Sequence, residues 1–118
     1  MQTLILIAHG SRLEQSNEEV RNLTSRLREL AGNRYQHVKC AFLELAEPSI
    51  PTAIDTAIAS GSSRVVLLPY FLAGGSHVSL HIPEIVAQKQ AQYPDSALEL
   101  RPHLGRAKDL VEFLAKLA

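Results

Sequence analysis

The chain has 118 residues, of which 46% are hydrophobic and 20% charged, and its formal net charge is zero. This length and composition predict one globular domain, residues 1–118, that can bury a core of its own. The neutral balance gives no electrostatic sign of a nucleic acid or an anionic membrane as partner. No apolar run is long enough to span a bilayer, and no signal-peptide pattern precedes the first strand.

Cysteine usage adds an expectation about the compartment. Cys40 is the only cysteine, so no disulfide can form within the chain. A lone thiol suits the reducing cytoplasm, where we expect this protein to reside. Cys40 lies in an apolar run and is predicted to be a small core residue rather than a reactive thiol.

The chain opens with a strand pattern and then a helix pattern. Leu4–Ala8 is a continuous apolar run, which is typical of a strand covered on both faces. Ser16-Asn17-Glu18-Glu19 has the spacing of a capping box and predicts that a helix opens there. Gly32-Asn33 is expected to end that helix.

A second strand and a second helix follow. His37–Leu45 predicts the strand, which contains alternating apolar residues. Ser49 is a suitable N-cap for the next helix, and Pro51 fits its first turn. Gly61 is expected to end this helix.

The second half of the chain repeats the alternation twice. Arg64–Leu72 predicts the third strand, and Pro83 suits the start of a third helix that runs toward Tyr93. Ala97–Pro102 predicts a weaker fourth strand, and the last helix is expected to begin near Arg106.

Successive strand–helix units predict an α/β fold with a four-stranded parallel sheet, flavodoxin-like, in the strand order 2-1-3-4. In that order the direction of winding reverses between strands 1 and 3. Ligands of open α/β sheets bind beyond the carboxyl ends of the strands, at this kind of switch point. We therefore expect the functional site where the first and third strands end.

Two histidines follow the strands that flank this point. His9 comes directly after the first strand, and His77 comes after the third strand and a glycine-containing segment. Neutral imidazole is the commonest metal ligand and accepts protons near neutral pH. The pair therefore indicates a site that binds a metal ion or accepts a proton. Taken singly, His9 is also compatible with a structural role at a strand end, and the glycines before His77 are also compatible with a simple turn.

Other polar residues are candidates at the same edge. Glu44 ends the second predicted strand and is expected to project beside the first, where it could accept a proton, orient a histidine or hold a ligand. His81 follows His77 by four residues and is a candidate additional metal ligand, since a helical stretch would put both rings on one face. Pro83 argues that regular helix begins later, which weakens that expectation. His37 is expected at the opposite end of the sheet.

The sequence resembles the small, single-domain CbiX/SirB-type sirohydrochlorin chelatases. The resemblance covers nearly the whole chain in order and spacing. It rests on the segments Leu6–Ser11, Phe42–Ile50, Leu67–Leu72, Gly75–Val78, Ile82-Pro83 and Pro102–Gly105.

This resemblance implies a sirohydrochlorin cobaltochelatase, a lyase-type enzyme that inserts Co²⁺, or alternatively Fe²⁺ or Ni²⁺, into a tetrapyrrole. It implies a homodimer that encloses the substrate, and no organic cofactor. By resemblance, His9 is the proton acceptor and a metal ligand, and His77 is the second ligand. The substrate contacts that it implies involve Glu44, Leu72, Ala73, Gly74, Gly75, Ser76 and His77.

One position departs from the family pattern. An aspartate is common before the Ile-Pro pair in the family, and this chain has His81 there. The difference leaves open a second hypothesis, a carrier that holds metal or tetrapyrrole without catalysis. A regulatory domain of the flavodoxin-like class is not favoured, because no acidic cluster follows the first strand.

Overall fold

Strands and helices alternate through the computed structural model, which describes residues 1–118. The strands are β1 (Gln2–Ala8), β2 (His37–Phe42), β3 (Arg64–Pro69) and β4 (Ala97–Leu100). The helices are α1 (Glu14–Ala31), α2 (Ile50–Ala59), α3 (Ile82–Gln92) and α4 (Leu110–Leu117). Short 3₁₀ turns cover Gly32–Arg34 and Leu104–Arg106, and a π-helical turn, His77–His81, leads directly into α3.

The four strands form one parallel sheet in the order β2-β1-β3-β4. This confirms the predicted fold class and strand order. In the central register, Leu6 of β1 lies between Cys40 of β2 and Leu68 of β3. The carboxyl ends of β1 and β3 are therefore neighbours, and the chain winds away from them in opposite directions.

Helices cover both faces of the sheet, which explains the continuous apolar run of β1. Alternate residues of a strand point to opposite faces. Ile5 and Ile7 join the larger core, which α2 and α3 cover, whereas Leu4 joins the smaller core under α1. Burying both faces of β1 anchors the backbone that leads into His9.

The first helix begins earlier than the sequence pattern predicted. It begins at Glu14, so the predicted capping box at Ser16 is wrong. Asn17 is only 2% exposed. Its side-chain amide accepts a hydrogen bond from the backbone N–H of Ser11 at 2.9 Å and donates one to the Ser11 carbonyl at 2.8 Å. Asn17 thus ties the start of α1 to the loop that follows His9.

Three strands end earlier than predicted, because apolar residues continue past the hydrogen-bonded ladder. β2 ends at Phe42 rather than Leu45, β3 at Pro69 rather than Leu72, and β4 at Leu100 rather than Pro102. Leu45 has a φ of 65°, which is incompatible with an extended strand. The residues beyond the strands form the loops of the candidate site.

The regular α-helix begins only at Ile82, as Pro83 predicted, and the segment before it is a π-helical turn that the sequence did not predict. Pro83 has no N–H to donate, and in an α-helix its ring would collide with the carbonyl four residues earlier. A π-helical turn relieves that conflict, with the Ile82 N–H donating to the His77 carbonyl. His77 and His81 are thereby brought to one side of the turn.

The last helix also begins later than predicted, at Leu110 rather than near Arg106, which lies in a 3₁₀ turn. Its apolar side chains are largely uncovered: Val111 is 72% exposed, Phe113 57%, Leu114 54% and Leu117 69%. Contiguous exposed apolar residues indicate an interaction surface. None of the helices has the length and apolar character needed to cross a membrane.

Candidate functional site

The site is built first on the tight turn after β1. His9 follows the last strand residue, and Gly10 has a φ of 93°, a conformation that favours glycine. A Cβ at Gly10 would also overlap the Glu44 carbonyl oxygen. The Glu44 N–H in turn donates to the His9 carbonyl at 3.0 Å. Gly10 therefore allows the loops after β1 and β2 to touch, which brings Glu44 beside His9.

The hydrogen bond of the His9 ring fixes which nitrogen is basic. Nδ1 lies 3.0 Å from the carbonyl oxygen of Gly10. A carbonyl only accepts, so Nδ1 carries the hydrogen and Nε2 of the neutral ring has the lone pair. That Nε2 lies 3.4 Å from Oε2 of Glu44. The Nε2 lone pair and the nearby carboxylate both attract positive charge, so this pair of groups favours the binding of a proton or a metal cation.

His77 lies against His9, as the strand order predicted. Their ring centroids are 5.1 Å apart with an interplanar angle of 72°. Phe71 provides an apolar neighbour, with its ring centroid 6.5 Å from that of His9. The His9 side chain is 45% exposed and that of Glu44 is 51% exposed, so the pair is open to a large ligand from solvent.

His81 joins the cluster through His77. The π-helical turn brings Nδ1 of His81 to 3.0 Å from Nδ1 of His77, with ring centroids 5.1 Å apart. Helical placement of the two rings on one side, which Pro83 had made doubtful, is thus what the structure has. No group of three or more His, Cys, Asp or Glu side chains is arranged as a metal site.

The predicted substrate loop, Leu72–His77, is held at both ends, and its residues 72–76 are exposed. At its start, the Gly105 N–H donates to the Phe71 carbonyl at 3.0 Å, and a Cβ on Gly105 would overlap the Leu72 carbonyl. At its end, the Gly75 carbonyl accepts from the N–H and the hydroxyl of Ser79, at 2.9 and 2.8 Å. Leu72 is 73% exposed beside the site.

Sequence reasoning missed two cations at this edge, Arg101 and Arg106. Together with His103 they line a cavity of about 300 Å³ that also borders Gly74 of the loop. No acidic side chain lines this cavity. The pattern of a strand end followed by a turn could have identified Arg101, but Arg106 comes near the loop only through the 3₁₀ turn.

The remaining predicted residues lie away from this edge. His37 begins β2 at the amino end of the sheet, as expected. It borders a groove of about 480 Å³ between α1, β2 and α2, which also contains Cys40 and none of the clustered histidines. Cys40 is a free, half-buried thiol rather than a fully buried core residue. The groove shares no residue with the histidine cluster.

The fold and the cluster define a class of protein: parallel α/β domains that present imidazoles at the switch point of the sheet. A family model described as CbiX matches residues 3–118. The chain therefore belongs to the CbiX family.

Individual relatives agree with this assignment. The chain is 38% identical over 86 residues to a sirohydrochlorin cobaltochelatase of Methanococcus aeolicus, a match covering 73% of this chain and 59% of that relative. It is 33% identical over 102 residues to a chloroplastic sirohydrochlorin ferrochelatase of Arabidopsis thaliana, covering 86% of this chain and 44% of that relative. The matched part thus spans less than two thirds of either relative.

A solved structure extends the likeness to the whole fold. The crystal structure of a CbiX protein from Marinobacter aquaeolei VT8 superposes with a TM-score of 0.83 at 26% identity. The superposition covers 99% of this chain and 93% of that one. The sheet, its helices and its terminal helix therefore follow an architecture already observed in the family.

Proposed function

We propose that this chain is a metal chelatase that inserts a divalent ion, Co²⁺ in the first instance, into sirohydrochlorin. The observation that carries the proposal is the contact of two strand-end imidazoles, His9 and His77, with ring centroids 5.1 Å apart. Family membership and the named activities of the relatives support the substrate. Because relatives include both a cobaltochelatase and a ferrochelatase, Fe²⁺ is an alternative metal, and Ni²⁺ remains another.

The chemistry of the ligands suits a metal that must be released. Imidazole binds Co²⁺, Fe²⁺ and Ni²⁺, whereas the softer thiolates select other ions. We assign His9 and His77 as the two protein ligands, which replace waters of the hydrated ion and present it to the macrocycle. No organic cofactor has a role in this scheme, since the ion itself is the substrate.

His9 then serves as the proton acceptor, and its hydrogen bonding orders the two roles in time. Nδ1 is held by the Gly10 carbonyl, so Nε2 has the only lone pair of the neutral ring. The same atom cannot bind the ion and a proton together. Nε2 therefore releases the ion to the macrocycle first and then accepts one of the two pyrrole N–H protons that must leave, while the other proton passes to solvent water.

Glu44 stabilises the charged ring after that transfer. Its carboxylate oxygen lies 3.4 Å from Nε2 of His9, near enough to pair with an imidazolium and to pass the proton on to solvent. In the cation-bound state the same carboxylate attracts the ion. Glu44 thus contacts the reacting centre at both stages.

The substrate is proposed to lie over the loop that carries Leu72, Ala73, Gly74, Gly75, Ser76 and His77. Leu72 is 73% exposed there and offers an apolar contact to a flat macrocycle. Sirohydrochlorin bears many carboxylate groups, and Arg101 and Arg106 line an adjacent cavity. Guanidinium groups recognise carboxylates through paired hydrogen bonds, so we assign these arginines to the substrate carboxylates.

We further propose that the active species is a homodimer. The exposed apolar residues of α4, which include Phe113 and Leu117, are suited to burial against a second copy. A second subunit would also cover the open site. Sedimentation of the purified chain tests this: a dimer that Phe113→Lys converts to monomer supports the proposal, and a wild-type monomer contradicts it.

We also propose a cytoplasmic location, which the free thiol of Cys40 suggests.

The direct test of activity mixes the purified chain with sirohydrochlorin and Co²⁺ and follows metal insertion by absorbance. Acceleration over the protein-free reaction is expected. Binding of Co²⁺ or of sirohydrochlorin without acceleration would instead establish the carrier hypothesis. Parallel reactions with Fe²⁺ and Ni²⁺ rank the metals.

A further inference from the structure

We propose that His81 is a positioning residue for His77: it accepts a hydrogen bond from Nδ1 of His77 and so keeps Nε2 of His77 unprotonated for the ion. The contact that carries this inference is the 3.0 Å separation of the two Nδ1 atoms. The inference rests on the proposed function, because the binding of one cation by both His9 and His77 is what selects the tautomer of His77.

The distance between the nitrogens requires one specific pair of tautomers. When both rings are neutral, a hydrogen bond between two Nδ1 atoms needs a hydrogen on one of them and a lone pair on the other. If His81 donated, His77 would carry its hydrogen on Nε2 and could not ligate a metal through either nitrogen. If His77 donates, its Nε2 is basic and His81 holds its own hydrogen on the exposed Nε2.

The neighbouring ring selects between these two arrangements. His9 already presents a basic Nε2, because the Gly10 carbonyl fixes its hydrogen on Nδ1. Two adjacent rings bind one cation only when both present lone pairs. When His77 donates to His81, His77 and His9 both carry hydrogen on Nδ1 and a lone pair on Nε2. The Gly10 carbonyl fixes this tautomer in His9, and the His81 side chain fixes it in His77.

The π-helical turn is what makes the contact. It places residues 77 and 81 on one side, and the hydrogen bond from the Ile82 N–H to the His77 carbonyl closes the turn. Hydrogen-bond partners of metal-binding histidines commonly set the ring orientation and tautomer in this way.

Matched variants at position 81 separate this role from direct ligation. In Asn, the side-chain oxygen is attached where Nδ1 is attached in His, so His81→Asn keeps the acceptor and removes Nε2. In Gln, the oxygen reaches about as far as Nε2, so His81→Gln keeps that reach and removes the acceptor at the Nδ1 position. His81→Ala removes both, and His37→Asn is the control for a histidine outside the site.

The first measurement needs neither metal nor tetrapyrrole. Long-range ¹H–¹⁵N correlation spectra of the metal-free protein, at mildly alkaline pH, report which nitrogen of His77 carries hydrogen. We expect hydrogen on Nδ1 in the wild type and in His81→Asn, and loss of that preference in His81→Gln and His81→Ala. Hydrogen on Nε2 of His77 in the wild type, or an unchanged tautomer in His81→Ala, would overturn the inference even if the protein is an active chelatase.

The second measurement is the affinity for Co²⁺ alone by titration calorimetry. Loss of such a supporting residue typically lowers metal affinity about 10–100-fold. We expect a decrease of about tenfold for His81→Ala and His81→Gln and near-wild-type affinity for His81→Asn. The opposite order, with Gln retaining affinity and Asn losing it, would show that His81 is a direct ligand and would refute the positioning role.

Discussion

The two ends of the sheet use polar residues for different purposes. At the carboxyl end, the side chains of His9 and Glu44 are about half exposed, and Nε2 of His9 lies 3.4 Å from Oε2 of Glu44. At the amino end, Thr3 and Ser62 are 1% and 3% exposed, and their hydroxyl oxygens bond each other at 2.6 Å. The first pair is accessible to a ligand, and the second is closed.

Charged groups follow the same division. Near the amino end, Arg64 donates to both carboxylate oxygens of Glu99 at 2.7 and 2.6 Å and to the Gln2 side chain at 2.7 Å. At the carboxyl end, Arg106 lines a cavity without an acidic residue. The contrast teaches that closely paired polar groups at the amino end stabilise the fold, whereas half-exposed groups at the carboxyl end, some of them paired, are available for function.

The largest effect is expected from His9→Ala, which removes the proposed proton acceptor and one metal ligand. The loss of positioned acid–base catalysis alone should lower the rate of Co²⁺ insertion by about 10²–10⁴-fold. Stability should change by less than about 0.5 kcal/mol, because the side chain is exposed. The control is His37→Ala at the amino end, and an insertion rate unchanged in His9→Ala would refute the assigned role.

In contrast to His9→Ala, Thr3→Val is expected to lower stability and leave activity intact. It leaves the buried Ser62 hydroxyl without its partner, which should lower the free energy of unfolding by about 1–3 kcal/mol. Insertion activity of the folded protein should be retained. Urea unfolding of Thr3→Val, Ser62→Ala and the double variant Thr3→Val/Ser62→Ala forms a double-mutant cycle. The double variant should lose less free energy of unfolding than the sum of the two single losses. Simple additivity would contradict the coupling.

Substitution of the cavity arginines should affect substrate binding more than turnover. An exposed ionic contact contributes up to about 1 kcal/mol, so Arg101→Met or Arg106→Met should raise the KM for sirohydrochlorin about fivefold. A contact made equally in the ground state and transition state leaves kcat unchanged. Lys39→Met, which also removes one positive charge, is the control. An equal increase of KM in that control would point to net charge rather than to this cavity.

The smallest effect concerns acid stability. Hydrogen bonds from Arg64 hold the pKa of Glu99 below its ordinary value of 4.5. Because the folded-state pKa is lowered, the stabilisation is complete above pH 4.5 and is lost as the pH falls through the folded-state value. Arg64→Met should therefore reduce stability near neutral pH and converge with the wild type in acid. Urea midpoints across this range test the prediction, and a constant difference would refute it.

The sequence was sufficient for the sheet order and for the meeting of His9 and His77. Both follow from local patterns, since buried parallel strands have continuous apolar runs and connections between them have a fixed hand. Strand ends were predicted too late because apolar residues such as Leu45 and Leu72 continue beyond the ladder. In the loops their side chains are exposed beside the site rather than paired in the sheet.

What the sequence did not predict depends on contacts between distant or competing groups. Ser16 lies in a capping-box pattern, but α1 already begins at Glu14. The side-chain amide of Asn17, in the first turn of the helix, forms hydrogen bonds with the Ser11 backbone. Helix propensity alone would predict that no helix precedes Pro83, because proline disrupts a regular α-helix. The structure instead has a π-helical turn there. Arg106 reaches the site through a turn whose position is set by packing against the loop.

The most direct test of the central claim is a crystal structure of the protein with Co²⁺, phased at the cobalt absorption edge. The expected result is an anomalous peak within ligand distance of Nε2 of both His9 and His77. Cobalt bound only at other histidines, such as His37 or His103, or touching just one ring of the pair, would contradict it.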